Sequence, residues 1–235
     1  MAMFPVAILM GGLATRLHPI TETLPKSLID VAGEPFIFRQ LAYLRQQGVT
    51  HVVLCVGYLG NMIRDMVGNG ESFGIKVSYS EDGPNLLGTG GALMRATSLL
   101  GERFFVLYGD SFLPINFSCV QEAYEKDERP VMMTVIKNEN QWDKSNVLFL
   151  NGELLEYDKR NPTSEMNYID YGLGVMESSL LKQYAIPHPV DLADIYRDLS
   201  YKKKIAGLEV YDRFYEIGSH SGLIEATEYF LRQDK

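Results

Sequence analysis

Short apolar runs rich in β-branched residues alternate with helical patterns along the first half of the chain, and this alternation limits the possible folds most strongly. Strands are predicted at 6–10, 51–56, 75–80 and 104–108, and helices at 35–47, 60–67 and 91–100. Strands that alternate with helices pair in parallel through crossover connections. The sequence therefore predicts an α/β fold with a Rossmann-like, mostly parallel mixed sheet that is flanked by helices.

The second half of the chain has a different pattern. Shorter strands are predicted at 131–136, 146–150, 154–157 and 168–176, with a helix at 192–200, a strand pair near 208–217 and a C-terminal helix at 222–231. With 235 residues, the chain is expected to form one domain, 1–235, in which the second half builds a small lobe.

Charge and cysteine usage argue against several classes of protein. The formal net charge is −8 and no run of Lys or Arg stands out, which argues against nucleic acid or an anionic membrane as a partner. Two cysteines give neither a disulfide framework nor a thiolate metal site, and we expect a cytoplasmic protein. His18, His51, His188 and His220 have no metal-ligand spacing and are interpreted as structural.

Two neighbouring motifs after the first strand suggest a phosphate site. They are GGLATRL at 11–17 and PKSL at 25–28. Adjacent glycines let backbone N–H groups approach phosphate oxygens, Arg16 offers a planar pair of donors and Lys26 offers a point charge. The segment is neither a P-loop nor a dinucleotide fingerprint, which argues against a Rossmann-type dehydrogenase. A tight turn with solvated basic residues is the alternative.

A carboxylate follows the strand at 104–108. Gly109 and Asp110 come directly after it, and ligands of open α/β sheets lie beyond the carboxyl ends of the strands. A carboxylate there could hold a cation that bridges to phosphates, or it could cap the following turn.

These motifs together resemble the sugar-1-phosphate nucleotidyltransferase family, whose members have a GT-A-like fold. The resemblance continues through LLGTGGAL at 86–93, GD at 109–110, DK at 158–159, YGLGV at 171–175 and EIGS at 216–219. The chain departs from the family pattern at Ala14, where the family has glycine, and at Glu216, where it has aspartate.

The resemblance implies a nucleotide site in 1–130 and a sugar site in 131–235. The nucleotide-binding residues implied are Leu9, Gly11, Gly12, Ala14, Thr15, Arg16, Lys26, Leu87, Gly88, Thr89, Gly90 and Gly109. From the segment 87–91 alone, a turn that caps the next helix is the slightly favoured interpretation. The cofactor implied is Mg²⁺, held by Asp110 and Glu216.

The sugar-binding residues implied are Asp158, Lys159, Asp170, Gly172 and Gly174, and the catalytic residues implied are Arg16, Lys26, Asp110 and Lys159. Without the resemblance, Asp158 and Lys159 could be a surface ion pair, and Asp170 could make a structural hydrogen bond.

The reaction implied is attack of a sugar 1-phosphate on the α-phosphorus of a nucleoside triphosphate, with release of pyrophosphate. Within the family, the chain most resembles members that use GTP and D-glycero-D-manno-heptose 1-phosphate, as in cell-surface polysaccharide biosynthesis. The resemblance lies in the GTGG string, the short chain and the expected absence of an appended repeat domain. A uridylyltransferase for N-acetylmuramate 1-phosphate or glucose 1-phosphate is the alternative. Another is a catalytically silent regulatory subunit that binds nucleotide-sugars. A homo-oligomer is compatible with any of these.

Overall fold

The computed structural model describes residues 2–184 and 189–233, so the interpretation of His188 lies outside the described residues. The strands, in chain order, are β1 (Val6–Leu9), β2 (Asp30–Val31), β3 (Glu34–Pro35), β4 (His51–Val56), β5 (Lys76–Glu81), β6 (Arg103–Tyr108), β7 (Ser111–Phe112), β8 (Val131–Lys137), β9 (Val147–Leu150), β10 (Glu153–Tyr157), β11 (Tyr168–Glu177), β12 (Ile205–Glu209) and β13 (Tyr215–Glu216). The α-helices are α1 (Phe36–Gln46), α2 (Gly60–Val67), α3 (Gly88–Leu100), α4 (Phe117–Lys126), α5 (Ser178–Leu181), α6 (Leu192–Tyr201) and α7 (His220–Gln233).

The main sheet has the order β10-β9-β11-β6-β1-β4-β5. In addition, β8 pairs with β11, and β12 pairs with β8. Strands β6, β1, β4 and β5 are mutually parallel, whereas β11 runs antiparallel to β6 and β8. The predicted mixed sheet with a parallel core is therefore confirmed. One sheet includes strands from both 1–130 and 131–235, and the division of roles between these two parts stays a prediction.

Helices cover both faces of the parallel core. Along β1, Val6 and Ile8 pack into a cluster that includes Leu41 of α1, whereas Ala7 packs into a second cluster that includes Leu93 of α3. Because alternate residues of a strand point to opposite faces, this division places α1 and α3 on opposite sides of β1. Burial on both faces explains why the strand lacks polar alternation in the sequence.

One expectation about the elements was wrong, and one helix was missed. The predicted strand pair near 208–217 does not form, because β12 pairs in parallel with β8, and β13 pairs with β7. Both partners lie far away in the sequence, where local turn signals cannot indicate them. Helix α4 was not predicted at all, although Asn116 caps it by accepting a hydrogen bond from the N–H of Ser118 at 2.9 Å.

Within the described ranges, no helix has the combination of length and apolar character that crossing a membrane requires.

Candidate active site

The ends of β1 and β6 lie side by side and bring the glycine-rich loop next to Asp110. The N–H of Gly109 donates to the carbonyl oxygen of Leu9 at 2.8 Å. A Cβ on Gly109 would lie 2.8 Å from the Cβ of Met10 and 2.9 Å from the oxygen of Leu9, so no larger residue fits without movement of the backbone. The close approach of the two strand ends thus depends on glycine at this position.

The loop after β1 continues through Ala14, which adopts the left-handed conformation with φ 49°. Its carbonyl oxygen accepts hydrogen bonds from the N–H of Leu17 at 3.1 Å and from the hydroxyl of Thr21 at 2.8 Å. Glycine adopts this conformation more readily than alanine. Alanine in place of the family's glycine at position 14 therefore keeps this loop conformation but strains the backbone.

Lys26 and Asp110 form an ion pair, with 2.5 Å between Nζ and Oδ2. The hydroxyl of Ser111 donates to the other carboxylate oxygen at 3.2 Å. Burial alone would raise the pKa of Asp110, but the ammonium of Lys26 and the hydrogen bonds hold that pKa below its usual value. The carboxylate is therefore ionised and already beside a cation.

Glu216 reaches the same place from β13. Its Oε1 accepts from the hydroxyl of Ser219 at 2.6 Å, and its Oε2 accepts from the N–H of Gly218. A Cβ on Gly218 would lie 2.5 Å from Glu216 Oε2, 3.1 Å from Arg16 Nη2 and 3.3 Å from Asp110 Oδ2. Two carboxylates and a guanidinium thus meet above this glycine.

The two carboxylates fit a magnesium ion that a substrate helps to hold. Mg²⁺ binds proteins through one or two carboxylates and completes its shell with waters and phosphate oxygens. Among the residues described, no group of three or more His, Cys, Asp or Glu side chains could hold a metal ion without such help. The assignment of Mg²⁺ to Asp110 and Glu216 stays a prediction.

Two cavities meet at this point, and Tyr108 and Asp110 line both. We call the first, of about 250 Å³, the loop cavity because the glycine-rich loop lines it. The predicted site residues in its lining are Leu9, Gly11, Gly12, Ala14, Lys26, Gly88, Thr89, Gly109 and Asp110. The second, the polar cavity, has about 570 Å³ and contains Arg16, Lys159, Asp170, Gly172 and Glu216 of the predicted set.

Segment 87–91 makes hydrogen bonds to 190–192, in addition to lining part of the loop cavity. The N–H groups of Gly90 and Gly91 donate to the carbonyl oxygen of Val190 at 2.8 and 3.2 Å. Thr89 donates to Asp191 at 2.9 Å and accepts from the N–H of Leu192 at 2.8 Å. The segment thus begins α3, where Val190 accepts from the first N–H groups of the helix, and its residues Gly88 and Thr89 also line the loop cavity.

Two predicted sugar-binding residues lie away from the lining of the polar cavity. Asp158 accepts from the N–H groups of Arg160 and Asn161, at 2.8 and 2.9 Å, and so stabilises a turn. A Cβ on Gly174 would lie 2.9 Å from the hydroxyl of Tyr196, so this glycine makes room for a tyrosine. Leu87, Thr15 and Gly90 are likewise outside the lining of the loop cavity.

Asp170 faces the polar cavity from β11. Burial raises its pKa from 3.8 to about 6, although the N–H of Gly172 donates to its carboxylate at 3.0 Å. Its own N–H donates to Asn146 at 3.1 Å. A carboxylate fixed in this way can accept hydrogen bonds from hydroxyl groups of a ligand.

Sequence reasoning missed several residues of the site. Asp82, Tyr58 and Leu86 line the loop cavity, and Trp142 and Arg213 line the polar cavity. Asp82 was detectable, because it follows a parallel strand just as Asp110 does. Trp142 packs against Phe214, with 5.5 Å between the ring centroids, and it also faces the polar cavity.

Gln40 was also missed, and it supports the turn that carries Asp110. Its Nε2 donates to the carbonyl oxygens of Tyr108 and Ser111 at 3.0 and 2.8 Å. Its side chain is buried on α1, in a position where the sequence pattern predicts only core packing.

Comparisons with known proteins agree with this geometry. The family model described as "Nucleotidyl transferase" matches residues 6–145. An N-acetylmuramate alpha-1-phosphate uridylyltransferase from Neisseria meningitidis is 39% identical over 112 residues, which are 47% of this chain and 48% of that protein. A D-glycero-alpha-D-manno-heptose 1-phosphate guanylyltransferase from Campylobacter jejuni is 26% identical over 211 residues, covering 88% of this chain and 91% of that protein.

The chain thus matches about half the length of the first of these relatives. Among solved structures, HddC from Yersinia pseudotuberculosis, complexed with GMP-PN, superposes with a TM-score of 0.79 at 24% identity. The superposition covers 97% of this chain and 100% of that one, and it shows that the two share a fold.

Proposed function

Because the chain belongs to the nucleotidyl transferase family, we propose that it joins GTP to a sugar 1-phosphate, forms a GDP-sugar and releases pyrophosphate. The observation that carries this proposal is the meeting of two cavities at Asp110. One cavity has the glycine-rich loop and Lys26, which suit a triphosphate, and the other has Lys159, which suits a second phosphate.

The residues act by position and charge, since nucleotidyl transfer in line needs no covalent enzyme intermediate. Backbone N–H groups of 11–15 and Arg16 would hold the leaving pyrophosphate. Lys159 would steer the incoming phosphate, whose oxygen forms a bond to the α-phosphorus while the bond to pyrophosphate breaks. Lys26 would offset the charge on the α-phosphate. Mg²⁺, held by Asp110 and Glu216, would add further charge stabilisation when bound.

D-glycero-D-manno-heptose 1-phosphate is the sugar we favour. The match to the Campylobacter jejuni guanylyltransferase supports it, because that match extends over most of both chains. Uridylyl transfer to N-acetylmuramate 1-phosphate is the second candidate, because the Neisseria meningitidis relative has the higher identity over its shorter match. We place the activity in the cytoplasm, a compartment that suits the free thiols of Cys55 and Cys119.

The test is release of pyrophosphate with Mg²⁺, in which GTP, UTP, dTTP, ATP and CTP are each paired with heptose, mannose, glucose and N-acetylated sugar 1-phosphates. We expect release only when GTP and the heptose 1-phosphate are both present. Release with UTP and N-acetylmuramate 1-phosphate would favour the second candidate. Nucleotide binding without release across the panel would instead favour the regulatory subunit.

Lys159 provides a matched pair of variants. Lys159→Gln should raise the KM for the sugar 1-phosphate by at least about tenfold, because a charged hydrogen bond to phosphate is lost. Arg160→Gln removes a neighbouring cation that is paired with Asp194 outside the cavity, and it should leave the KM unchanged. Equal effects of the two variants would contradict the role of Lys159.

A further inference from the structure

The carboxylate of Glu216 lies over the first turn of α7, at a point where that turn has no side chain. Glu216 ends β13, and α7 begins at His220. A Cβ on Gly222 would overlap Glu216 Oε1 and would lie 2.7 Å from Glu216 Cδ. While the glutamate keeps this conformation, only glycine therefore fits at position 222.

Glycine is otherwise a poor choice for this place on the helix. The buried face of α7 consists of Gly222, Ala226 and Phe230, which are spaced four residues apart. Ala226 and Phe230 belong to an apolar cluster, whereas Gly222 lines the polar cavity. Within a helix, glycine is less stable than alanine by about 1 kcal/mol. The space that Gly222 leaves for the Glu216 carboxylate accounts for this loss.

Hydrogen bonds hold the carboxylate in this place. The hydroxyl of Ser219 donates to Glu216 Oε1 at 2.6 Å and accepts from the N–H of Gly222 at 3.0 Å. The N–H of Gly218 donates to Glu216 Oε2. Each carboxylate oxygen therefore has one donor from the protein and keeps a lone pair for a cation.

The same conformation brings the carboxylates of Glu216 and Asp110 close together. Glu216 Oε2 and Asp110 Oδ2 both lie within 3.3 Å of the position that a Cβ would take on Gly218. The N–H of Ile217 also donates to the carbonyl oxygen of Asp110 at 2.9 Å, which joins the two backbones. Because its side chain is folded over Gly222, Glu216 ends beside Asp110 although it is one methylene longer than aspartate.

We propose that Gly222 is a positioning residue that lets Glu216 take the place of an aspartate beside Asp110. The inference rests on the proposed function for the assignment of Mg²⁺ to these two carboxylates, and it adds the residue whose missing side chain lets the longer one fit. A side chain at position 222 would displace the Glu216 carboxylate, and Mg²⁺ requires nearly ideal ligand geometry.

The test is calorimetric binding of GTP and of UTP, each with Mn²⁺ and with EDTA, without a sugar 1-phosphate so that it does not depend on turnover. The measured quantity is the factor by which Mn²⁺ tightens the binding of whichever nucleotide binds more tightly. Gly222→Ala should reduce this factor by at least about tenfold, because the methyl group displaces the carboxylate. In Glu216→Asp protein the same substitution should reduce it by less than about threefold, since the shorter side chain does not reach the methyl group.

The comparison of these two backgrounds isolates the side chain of Glu216. A Cβ at position 222 would also lie 2.5 Å from the carbonyl oxygen of Glu216, but this oxygen is present in both backgrounds. Gly60→Ala is the matched control, because Gly60 is in the first turn of α2 and a Cβ there would lie 2.9 Å from the Cβ of Val56. It should lose stability and keep the full effect of Mn²⁺.

Glu216→Gln keeps the shape of the side chain and removes its charge, so it should also lose the effect of Mn²⁺. If that effect survives in Glu216→Gln, Glu216 serves only the start of α7 and the proposal is wrong. Equal losses from Gly222→Ala in the two backgrounds would overturn it as well. If Gly222→Ala does not fold, adding Glu216→Asp should restore folding, and failure of both proteins to fold would place the clash on the backbone and contradict the proposal.

Two outcomes separate this inference from the proposed function. Native protein whose nucleotide binding does not respond to Mn²⁺ would contradict the metal assignment and the role of Gly222 together. If the effects of Mn²⁺ follow the expected order and no sugar 1-phosphate supports release of pyrophosphate, the proposed function alone is wrong.

Discussion

Two single residues, Gly109 and Gln40, decide where Asp110 lies. Gly109 lets the end of β6 approach β1, and Gln40 binds the carbonyl oxygens on both sides of the Gly109–Asp110 turn. A carboxylate that has to meet a cation and a phosphate depends on such support, because small displacements reduce rates strongly.

Gln40→Met keeps the volume of the side chain and removes both hydrogen bonds. We expect kcat to fall by about tenfold to a hundredfold, because the turn that carries Asp110 loses its support. The matched control is Gln121→Met, which also removes a buried glutamine that binds backbone groups, here those of Ala2 and Phe4. Both variants should lose stability, and only Gln40→Met should lose turnover in steady-state assays. Equal turnover of the two would contradict a positioning role.

Gly109→Ala adds a methyl group against Met10 and the oxygen of Leu9, where the backbone cannot yield easily. We expect a loss of about 1–3 kcal/mol in the free energy of unfolding, measured in urea, because overpacking forces the strands to shift. Gly12→Ala is the comparison for stability, since a Cβ there meets nothing within 4 Å. A similar loss in both variants would show that the approach of the two strand ends is not the cause.

At the level of elements, the junction between α3 and α6 joins the loop cavity to the second half of the chain. Thr89 is its centre, because its hydroxyl both donates to Asp191 and accepts from the N–H of Leu192. Asp191 in turn caps α6 by accepting from the N–H of Ala193 at 3.0 Å. This hydroxyl therefore joins the first turn of α3 to the start of α6.

Thr89→Val replaces this hydroxyl by a methyl group of similar size. It should lower the free energy of unfolding by about 1–3 kcal/mol, because it leaves Asp191 and the Leu192 N–H short of a partner. Thr97→Val is the control on the same helix, where the hydroxyl binds only the oxygen of Met94. The check is the midpoint of urea denaturation, and a larger shift for Thr97→Val would refute the importance of the junction.

Local patterns in the sequence predicted most elements, and they indicated several of the residues that line the two cavities, for a physical reason. Parallel strands such as β1 and β4 are buried on both faces, so their apolar runs stand out, and the glycines that follow them mark where a ligand can approach. The pairing of β12 with β8, by contrast, depends on contacts between residues far apart in the sequence. Gln40 owes its role to neighbours that only the fold brings close. The sequence does not show that the carboxylate of Asp158 accepts hydrogen bonds within its own turn, and its role in sugar binding stays a prediction.

At the level of the whole molecule, a buried carboxylate in the polar cavity lowers the free energy of unfolding at neutral pH. Asp170 has its pKa raised from 3.8 to about 6 by burial, so the folded chain keeps a proton there that the unfolded chain has released. Between these two values the folded state binds more protons, and stability falls as the pH rises. Above the higher value the penalty is complete and constant.

Asp170→Asn should therefore stabilise the protein at pH 8 by about 3 kcal/mol, or several degrees in Tm, because the amide is neutral and can still accept from Gly172. The gain should shrink as the pH falls from 6 and should be nearly absent below pH 4. Thermal unfolding of both proteins at pH 3.5, 5, 6.5 and 8 provides the check. A gain that is the same at every pH would exclude titration of this carboxylate as its cause.

The hydrogen bonds between 87–91 and 190–192 also limit which sequence changes such a chain can accept during evolution. A Cβ on Gly88 would lie 2.5 Å from the oxygen of Val190, so the shape of one segment is set against the backbone of the other. If the codons for 87–91 alone were exchanged with those of a homologous gene, the new segment would no longer match the backbone of 190–192. Recombinant genes should consequently encode a folded protein only where both segments come from the same parent. Substitutions in one segment should be accompanied by compensating substitutions in the other, although about a hundred codons lie between them.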